Sequence, residues 1–140
     1  MNTVYVLMEE GWDYNDETYF QSEAGGGHPK CFFTSQEEAD KACLANNLTS
    51  FKELWTSGEI REYCYGVSDL LPYDDRKDKS KKKVLNATCE SLFGMDWEDL
   101  GEAFNNQDEI PIQEQSDETW TTLFNLLNLN FWNVVKVEKA

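Results

Sequence analysis

The chain has 140 residues, of which 40% are hydrophobic and 14% aromatic, and its formal net charge at pH 7 is −15. This length is enough for one domain with a hydrophobic core, and the aromatic content is too high for a disordered acidic tail. No apolar run of about 18 residues could span a membrane and no secretory signal is visible, so the expected location is the cytoplasm.

Three strands are predicted in the first part of the chain, at Thr3 to Met8, Thr18 to Gln21 and Lys30 to Thr34. Thr3 to Met8 has apolar residues on both faces, which is typical of a central strand. A polar turn at Asp13 to Glu17 and a glycine loop at Gly25 to Gly27 separate the strands. These short connections predict a three-stranded antiparallel meander.

Two helices and a fourth strand are predicted in the middle of the chain. The first helix begins at 34–35 and ends at 46–47, and the second covers Ser50 to Thr56. Both assignments rest on capping residues and on apolar residues at helical spacing. The alternation from Glu59 to Val67 predicts the fourth strand.

The rest of the chain predicts an exposed charged loop at 72–82, helices at 84–93, at 96–104 and after Ser116, and a last strand at 131–137. Together the elements predict a single acidic α+β domain over residues 1–140. Its expected architecture is an antiparallel or mixed sheet of about five strands with helices packed mainly on one face.

The segment Phe33 to Ala39 reads FTSQEEA and joins the predicted meander to the first helix. This FxSxEEA pattern after two or three strands resembles the opening ββα unit of many small bacterial or phage proteins. The resemblance implies the start of a small α+β fold and no particular family.

The four cysteines are widely spaced, and none forms a CxxC pair: Cys31, Cys43, Cys64 and Cys89. Zinc sites in proteins usually take their ligands in such close pairs. The cysteines are therefore predicted to be small buried hydrophobic residues in a reducing compartment, without a metal or a cofactor. A disulfide or metal role is the alternative.

The densest acidic and aromatic cluster is WDYNDE, at Trp12 to Glu17. Its predicted role is an interaction loop with the contact residues Trp12, Asp13, Tyr14, Asp16 and Glu17. An Asx-rich β-turn is the structural alternative. A weak divalent-cation site is the other alternative, although a calcium loop starting at Asp13 would need a glycine at its sixth position and a glutamate where Ala24 stands.

A second acidic group lies on the helix predicted at 96–104 and consists of Asp96, Glu98, Asp99 and Glu102. Asp96, Asp99 and Glu102 repeat every third residue, which predicts an acidic helix face that could dock on a basic surface. The alternative is the ordinary solvated face of an amphipathic helix.

Two further patterns predict no site. Gly25 to Lys30 lacks the P-loop spacing and leads into a strand, so it is predicted to be a hairpin loop with an exposed His28. Lys77 to Lys83 has no interleaved aromatic residue for base stacking, so it is predicted to fold back on the acidic body.

These observations predict a small acidic interaction protein that binds a basic protein surface, as immunity proteins, inhibitors or nucleic-acid mimics do. An acidic body repels phosphate, so neither nucleic acid nor membrane is an expected partner. Motifs such as GxSxG and HExxH are missing, and no enzymatic activity is expected. Two alternatives stay open: a small carboxylate- or metal-dependent enzyme, and a structural accessory domain of an assembly.

Overall fold

A computed structural model describes residues 3–10, 12–14, 19–21, 28–113, 116–127 and 129–138, with the backbone alone at 12–14 and 19–21. Over these residues the fold is α+β, as predicted. The strands are β1 (Thr3–Glu9), β2 (Trp12–Tyr14), β3 (Tyr19–Gln21), β4 (His28–Phe33) and β5 (Trp132–Glu138). The α-helices are α1 (Gln36–Ser57), α2 (Lys79–Phe93), α3 (Trp97–Asn105) and α4 (Asp117–Leu126). Three 3₁₀ helices lie at Glu59–Glu62, Val67–Leu70 and Tyr73–Lys77.

The chain divides into two compact units, and the boundary after Ser50 falls within α1. The sheet unit comprises Met1–Ser50 and Asn130–Ala140, and the helical unit comprises Phe51–Leu129. The single-domain expectation stays a prediction, because compactness alone does not say whether either unit folds by itself. In the part of the chain that is described, no helix has the length and hydropathy needed to cross a membrane.

The sheet unit contains a three-stranded antiparallel sheet in the order β4-β1-β5, with β1 in the centre as predicted. The prediction of one sheet of about five strands is wrong, because in the described part of the chain β2 and β3 pair with each other and not with β1, β4 or β5. The predicted meander is wrong for the same reason. Both edges of β1 are occupied by β4 and β5, and the two short strands close to each other in sequence form their own ribbon.

An irregularity in β4 accommodates a proline in the sheet. The register pairs Leu7 with Cys31 and Met8 with Pro29, so that Lys30 is the extra residue of a β-bulge. Proline has no N–H to donate and is tolerated in edge strands and at bulges, and β4 is at the edge of this sheet. The Lys30 ammonium lies 3.6 Å from the Glu9 carboxylate.

Asn47 does not end the first helix as predicted, because its side chain serves the start of β5 instead. Its Oδ1 accepts the N–H groups of Phe131 (2.8 Å) and Trp132 (2.9 Å), and its Nδ2 donates to the Trp132 carbonyl (3.0 Å). Asn47 is only 4% exposed, and these bonds satisfy its buried amide. The two predicted helices are therefore one helix, which ends before Gly58 in the left-handed conformation (φ +81°).

The fourth strand predicted at 59–67 is wrong, since the segment contains 3₁₀ helices. The buried residues of this segment are Ile60, Cys64 and Val67, and Leu70 just beyond it is also buried. They are separated by three or four positions, which is a helical spacing and not the spacing of a strand. The alternation of other apolar residues in the segment concealed this pattern.

The segment 72–82 is mostly exposed, but it is not the predicted irregular loop. It contains the 3₁₀ helix Tyr73–Lys77 and the first turn of α2. The Asp78 carboxylate caps α2 by accepting the N–H groups of Ser80 (3.0 Å) and Lys81 (3.1 Å). Lysine is a good helix former, so a capped lysine-rich segment can be helical despite its like charges.

The helical unit is built around a cluster of aromatic rings. The Phe51 ring meets the rings of Trp120 and Phe124 edge to face, at centroid distances of 6.2 Å and 5.4 Å. The Phe93 ring lies 4.8 Å from that of Trp55 and 6.1 Å from that of Trp120. All five side chains are buried, and each such pair adds about 0.5–1.5 kcal/mol beyond the burial of its area.

Candidate functional site

The acidic helix predicted at 96–104 is α3, and its apolar residues at helical spacing form its buried face. Trp97, Leu100, Ala103 and Phe104 are all buried. Asp96 is not part of the helix, because its carboxylate caps it by accepting the Asp99 N–H at 2.9 Å. The predicted four-residue acidic face is thus reduced to three carboxylates on the helix, at Glu98, Asp99 and Glu102.

These three side chains are exposed and carry uncompensated charge. Elsewhere in the described residues five ion pairs are formed: Glu9–Lys30, Glu37–Lys41, Asp117–Lys52, Asp75–Lys81 and Glu138–Lys136. Glu98, Asp99 and Glu102 form no ion pair with any residue in the described ranges. We call this set of three residues the α3 acidic face.

The structure describes only part of the predicted interaction loop at Trp12 to Glu17. Trp12, Asp13 and Tyr14 form β2, where the register pairs them with Gln21, Phe20 and Tyr19. Asp13 thus lies in a strand and not in the predicted turn. Asp16 and Glu17 lie outside the described residues, as does the glycine loop at Gly25 to Gly27.

The cysteines are free thiols in two different environments. Cys64 and Cys89 are buried as predicted, and burial raises the pKa of each thiol to about 12, with Asp69 and Asp96 respectively adding to the shift. Cys31 and Cys43 are only half-buried, so the prediction is wrong for them. Burial and then Asp40 and Glu10 raise the pKa of the Cys43 thiol. A raised pKa keeps a thiol protonated and therefore unreactive.

His28 is the first residue of β4 and is exposed, in register with Glu9. It thus belongs to the strand and not to the predicted loop. Across the described ranges, no three histidine, cysteine or carboxylate side chains come together in a group that could hold a metal ion.

The basic segment, which we define as Arg76 to Lys83, makes its contacts locally. The Lys81 ammonium lies 2.6 Å from the Asp75 carboxylate, and this hydrogen bond raises the pKa of Lys81. The Arg76 guanidinium lies over the Tyr73 ring, 5.6 Å from its centroid. Both contacts are made to residues of the 3₁₀ helix Tyr73–Lys77, to which Arg76 itself belongs. The prediction was that the segment folds back on the acidic body.

A cavity of about 170 Å³ lies beside the basic segment in the helical unit, and we call it the basic-rimmed cavity. Its apolar lining consists of Leu71, Leu85, Trp97 and Leu126. Its charged lining consists of the cationic Arg76, Lys81 and Lys82 and the anionic Asp75. Sequence reasoning missed this site. Its apolar residues come from four separate segments, and no periodicity in the sequence links them.

A second cavity in the helical unit, of about 310 Å³, is lined by Trp55 and Arg61 among others. The Trp55 Nε1 and the Arg61 Nε are buried donors without an acceptor in the described part of the chain. Arg61 instead lies over the Phe104 ring, 5.1 Å from its centroid, and donates through its Nη2 to the Asp108 carbonyl. Both unpaired nitrogens are inaccessible to solvent, so a ligand in this cavity could not form a hydrogen bond with either of them.

Comparison with known proteins gives no match. No family model matches the chain. Neither a curated protein nor a solved structure shows significant similarity to it.

Proposed function

We propose that this chain is a small acidic interaction protein that binds a basic surface of a protein partner, as an immunity protein, an inhibitor or a nucleic-acid mimic does. The observation that carries the proposal is the α3 acidic face, where Glu98, Asp99 and Glu102 are exposed without a cation in the described residues. The net charge of −15 extends the attraction beyond the face itself.

The stability of α3 accounts for the acidic residues in its first turn but not for Glu102. Glu98 and Asp99 lie in the first turn of α3, where negative charge interacts favourably with the helix dipole. Glu102 lies one turn further on and gains little from the dipole. It stands four residues from Glu98, and two like charges at this spacing cost a helix about 0.2–0.5 kcal/mol. A cationic partner would remove that cost, which favours a binding role for Glu102.

The helix also holds the face in a fixed geometry. Leu100 is fully buried, Phe104 is packed against Trp55 with the ring centroids 6.0 Å apart, and Asp96 caps the first turn. Carboxylates on a helix anchored in this way lose little backbone entropy on binding. Complementary charge at such a surface raises the association rate and suppresses wrong partners.

A separate contact group is proposed at Trp12, Asp13, Tyr14, Asp16 and Glu17. Aromatic residues next to carboxylates are common among the residues that dominate binding energy at interfaces. Changing the aromatic residues to Ala and the acidic ones to Ser should abolish partner binding while the far-UV circular dichroism spectrum is preserved. Retained binding would remove this group from the proposal and leave the α3 acidic face unaffected.

The proposal is tested by affinity capture from the native lysate at low and at high salt, followed by mass spectrometry. Three forms of the chain are compared: the wild type, the variant E98Q/D99N/E102Q, and the control E38Q/D40N/E53Q. The control removes the same charge from exposed positions of α1. A basic protein that is retained by the wild type and by the control, released by salt and lost by the α3 variant is the expected result.

Two results would contradict the proposal. Equal loss of the retained protein from both variants would show that net charge alone attracts it. Retention by the α3 variant at low salt would show that Glu98, Asp99 and Glu102 are not the contact surface.

A further inference from the structure

The basic-rimmed cavity combines an apolar interior with cationic side chains. Leu85 is 1% exposed and Trp97 is 7% exposed, so the interior is formed by core side chains. Leu71 and Leu126 complete the apolar part and are half-buried. A dry apolar cavity of about 150 Å³ is large enough to hold benzene. The volume of about 170 Å³ therefore suits an apolar group of about one ring.

The charges on its rim are not balanced. Lys81 is paired with Asp75 at 2.6 Å, so these two side chains contribute no net charge. Arg76 and Lys82 also line the cavity, and neither forms an ion pair with a described residue. Two uncompensated cations thus stand beside an apolar interior, on a chain that is strongly acidic elsewhere.

The cationic groups are suited to an anionic head group. Contact with the Tyr73 ring orients the Arg76 guanidinium, whose planar fork matches a carboxylate in two parallel hydrogen bonds. Lys82 supplies a point charge from α2, and the Ser68 hydroxyl, which also lines the cavity, adds a neutral donor. Ligand sites typically combine a mostly apolar lining with a few polar groups that set the orientation.

We propose that the basic-rimmed cavity binds a small organic anion, namely a carboxylate attached to an apolar body of about one ring. The body contacts Leu85 and Trp97, and the carboxylate is held by Arg76 and Lys82. This site is independent of the α3 acidic face, because it recognises a small anion and not a basic protein.

The test is a titration of the full chain with phenylacetate. Binding is monitored through the NMR signals of the Trp97 indole and the Leu85 methyl groups. Phenylacetamide has the same ring without the charge, and acetate has the charge without the ring. The variant R76Q/K82Q removes the two rim cations. The control K77Q/K79Q removes two cations from the same basic segment that do not line the cavity. All four positions are exposed, so both variants should keep the fold, which circular dichroism verifies.

The expected result is saturable binding of phenylacetate at millimolar concentration that shifts the Trp97 and Leu85 signals. R76Q/K82Q should weaken it by at least about tenfold, because charge-assisted hydrogen bonds are lost. K77Q/K79Q should change it by less than about twofold, because exposed charges away from the ligand are screened. Phenylacetamide and acetate should each bind at least about tenfold more weakly than phenylacetate.

Three results would overturn the inference. Trp97 and Leu85 signals that do not move would show that no ligand enters the cavity. Equal losses in the two variants would indicate diffuse attraction to the whole basic segment. Equal affinity for phenylacetamide would show an apolar cavity without anion recognition.

Discussion

The described phenylalanine side chains are buried to different degrees in the two units of the molecule. In the helical unit Phe51 and Phe93 are fully buried, although Tyr65 and Tyr73 of the same unit are exposed. The sheet unit leaves Phe32 70% exposed and Val137 50% exposed, on the face of the sheet that also carries Val4 and Val6. The unit with the closed core also carries the α3 acidic face and the basic-rimmed cavity. Unfavourable charge and an open cavity cost stability, and a well-packed core can offset that cost.

The largest loss of stability is expected for a substitution at the centre of the helical unit. Phe93→Ala should lower the free energy of unfolding by about 3–5 kcal/mol, because it removes a fully buried ring and leaves a cavity. The matched change in the sheet unit, Phe32→Ala, should cost less than about 0.5 kcal/mol because that ring is mostly exposed. Urea denaturation of both variants gives the two values. Similar losses would contradict the difference between the units.

A second prediction concerns the buried thiols of the helical unit. Cys64 and Cys89 have folded-state pKa values of about 12, above the ordinary value of 9.0. The folded state therefore favours the protonated thiols, and their contribution to the free energy of unfolding is fully present at neutral pH. Between pH 9 and 10 most of the unfolded thiols ionise and the folded ones do not, which lowers the free energy of unfolding by about 1 kcal/mol per thiol. Urea denaturation at pH 9 and pH 10 measures this decrease. The control C64A/C89A should lose about 2 kcal/mol less over the same interval, and an unchanged pH dependence would be the contrary result.

A third prediction concerns how α1 and β5 are joined within the sheet unit. Asn47→Ala should cost about 1–3 kcal/mol, because it leaves backbone groups of Phe131 and Trp132 without their partner. The control is Asn46→Ala, since the Asn46 amide only donates to the Ala42 carbonyl within the same helix. Thermal melts of both variants are compared. A loss for Asn46→Ala as large as that for Asn47→Ala would point to helix propensity as the cause.

The smallest effect is expected at the α3 acidic face. Glu102→Gln should raise the free energy of unfolding by about 0.2–0.5 kcal/mol, because the repulsion with Glu98 is removed. The corresponding increase in melting temperature is about 1–2 °C. Glu53→Gln is the control, since that exposed residue has no charged neighbour three or four positions away. A lower melting temperature for Glu102→Gln would mean that Glu102 stabilises the native fold.

Much of the helical unit could be predicted from the sequence, because its apolar residues repeat along single helix faces. Trp120, Leu123 and Phe124 of α4 are buried as their spacing indicates. The sheet could be predicted less well, since strand order depends on contacts distant in sequence, such as that of β1 with β5. The hydrogen bonds of Asn47 to residues 131–132 also join segments distant in sequence. They explain why Asn47 lies inside α1, where a helix end was predicted.

The two candidate sites also differ in whether they could be predicted from the sequence. The exposure of Glu98, Asp99 and Glu102 follows from the helical position of Trp97 and Leu100, so the α3 acidic face could be predicted. The basic-rimmed cavity could not, because it exists only where four distant apolar segments and the basic segment meet in the folded unit.

The central claim is that the α3 acidic face contacts a basic partner. The most direct test is an NMR titration of the isotope-labelled chain with the protein recovered by affinity capture. The account predicts that the backbone amides of residues 98–102 show the largest salt-sensitive shifts, and that E98Q/D99N/E102Q abolishes them. Large shifts confined to other residues, with 98–102 unchanged, would contradict it.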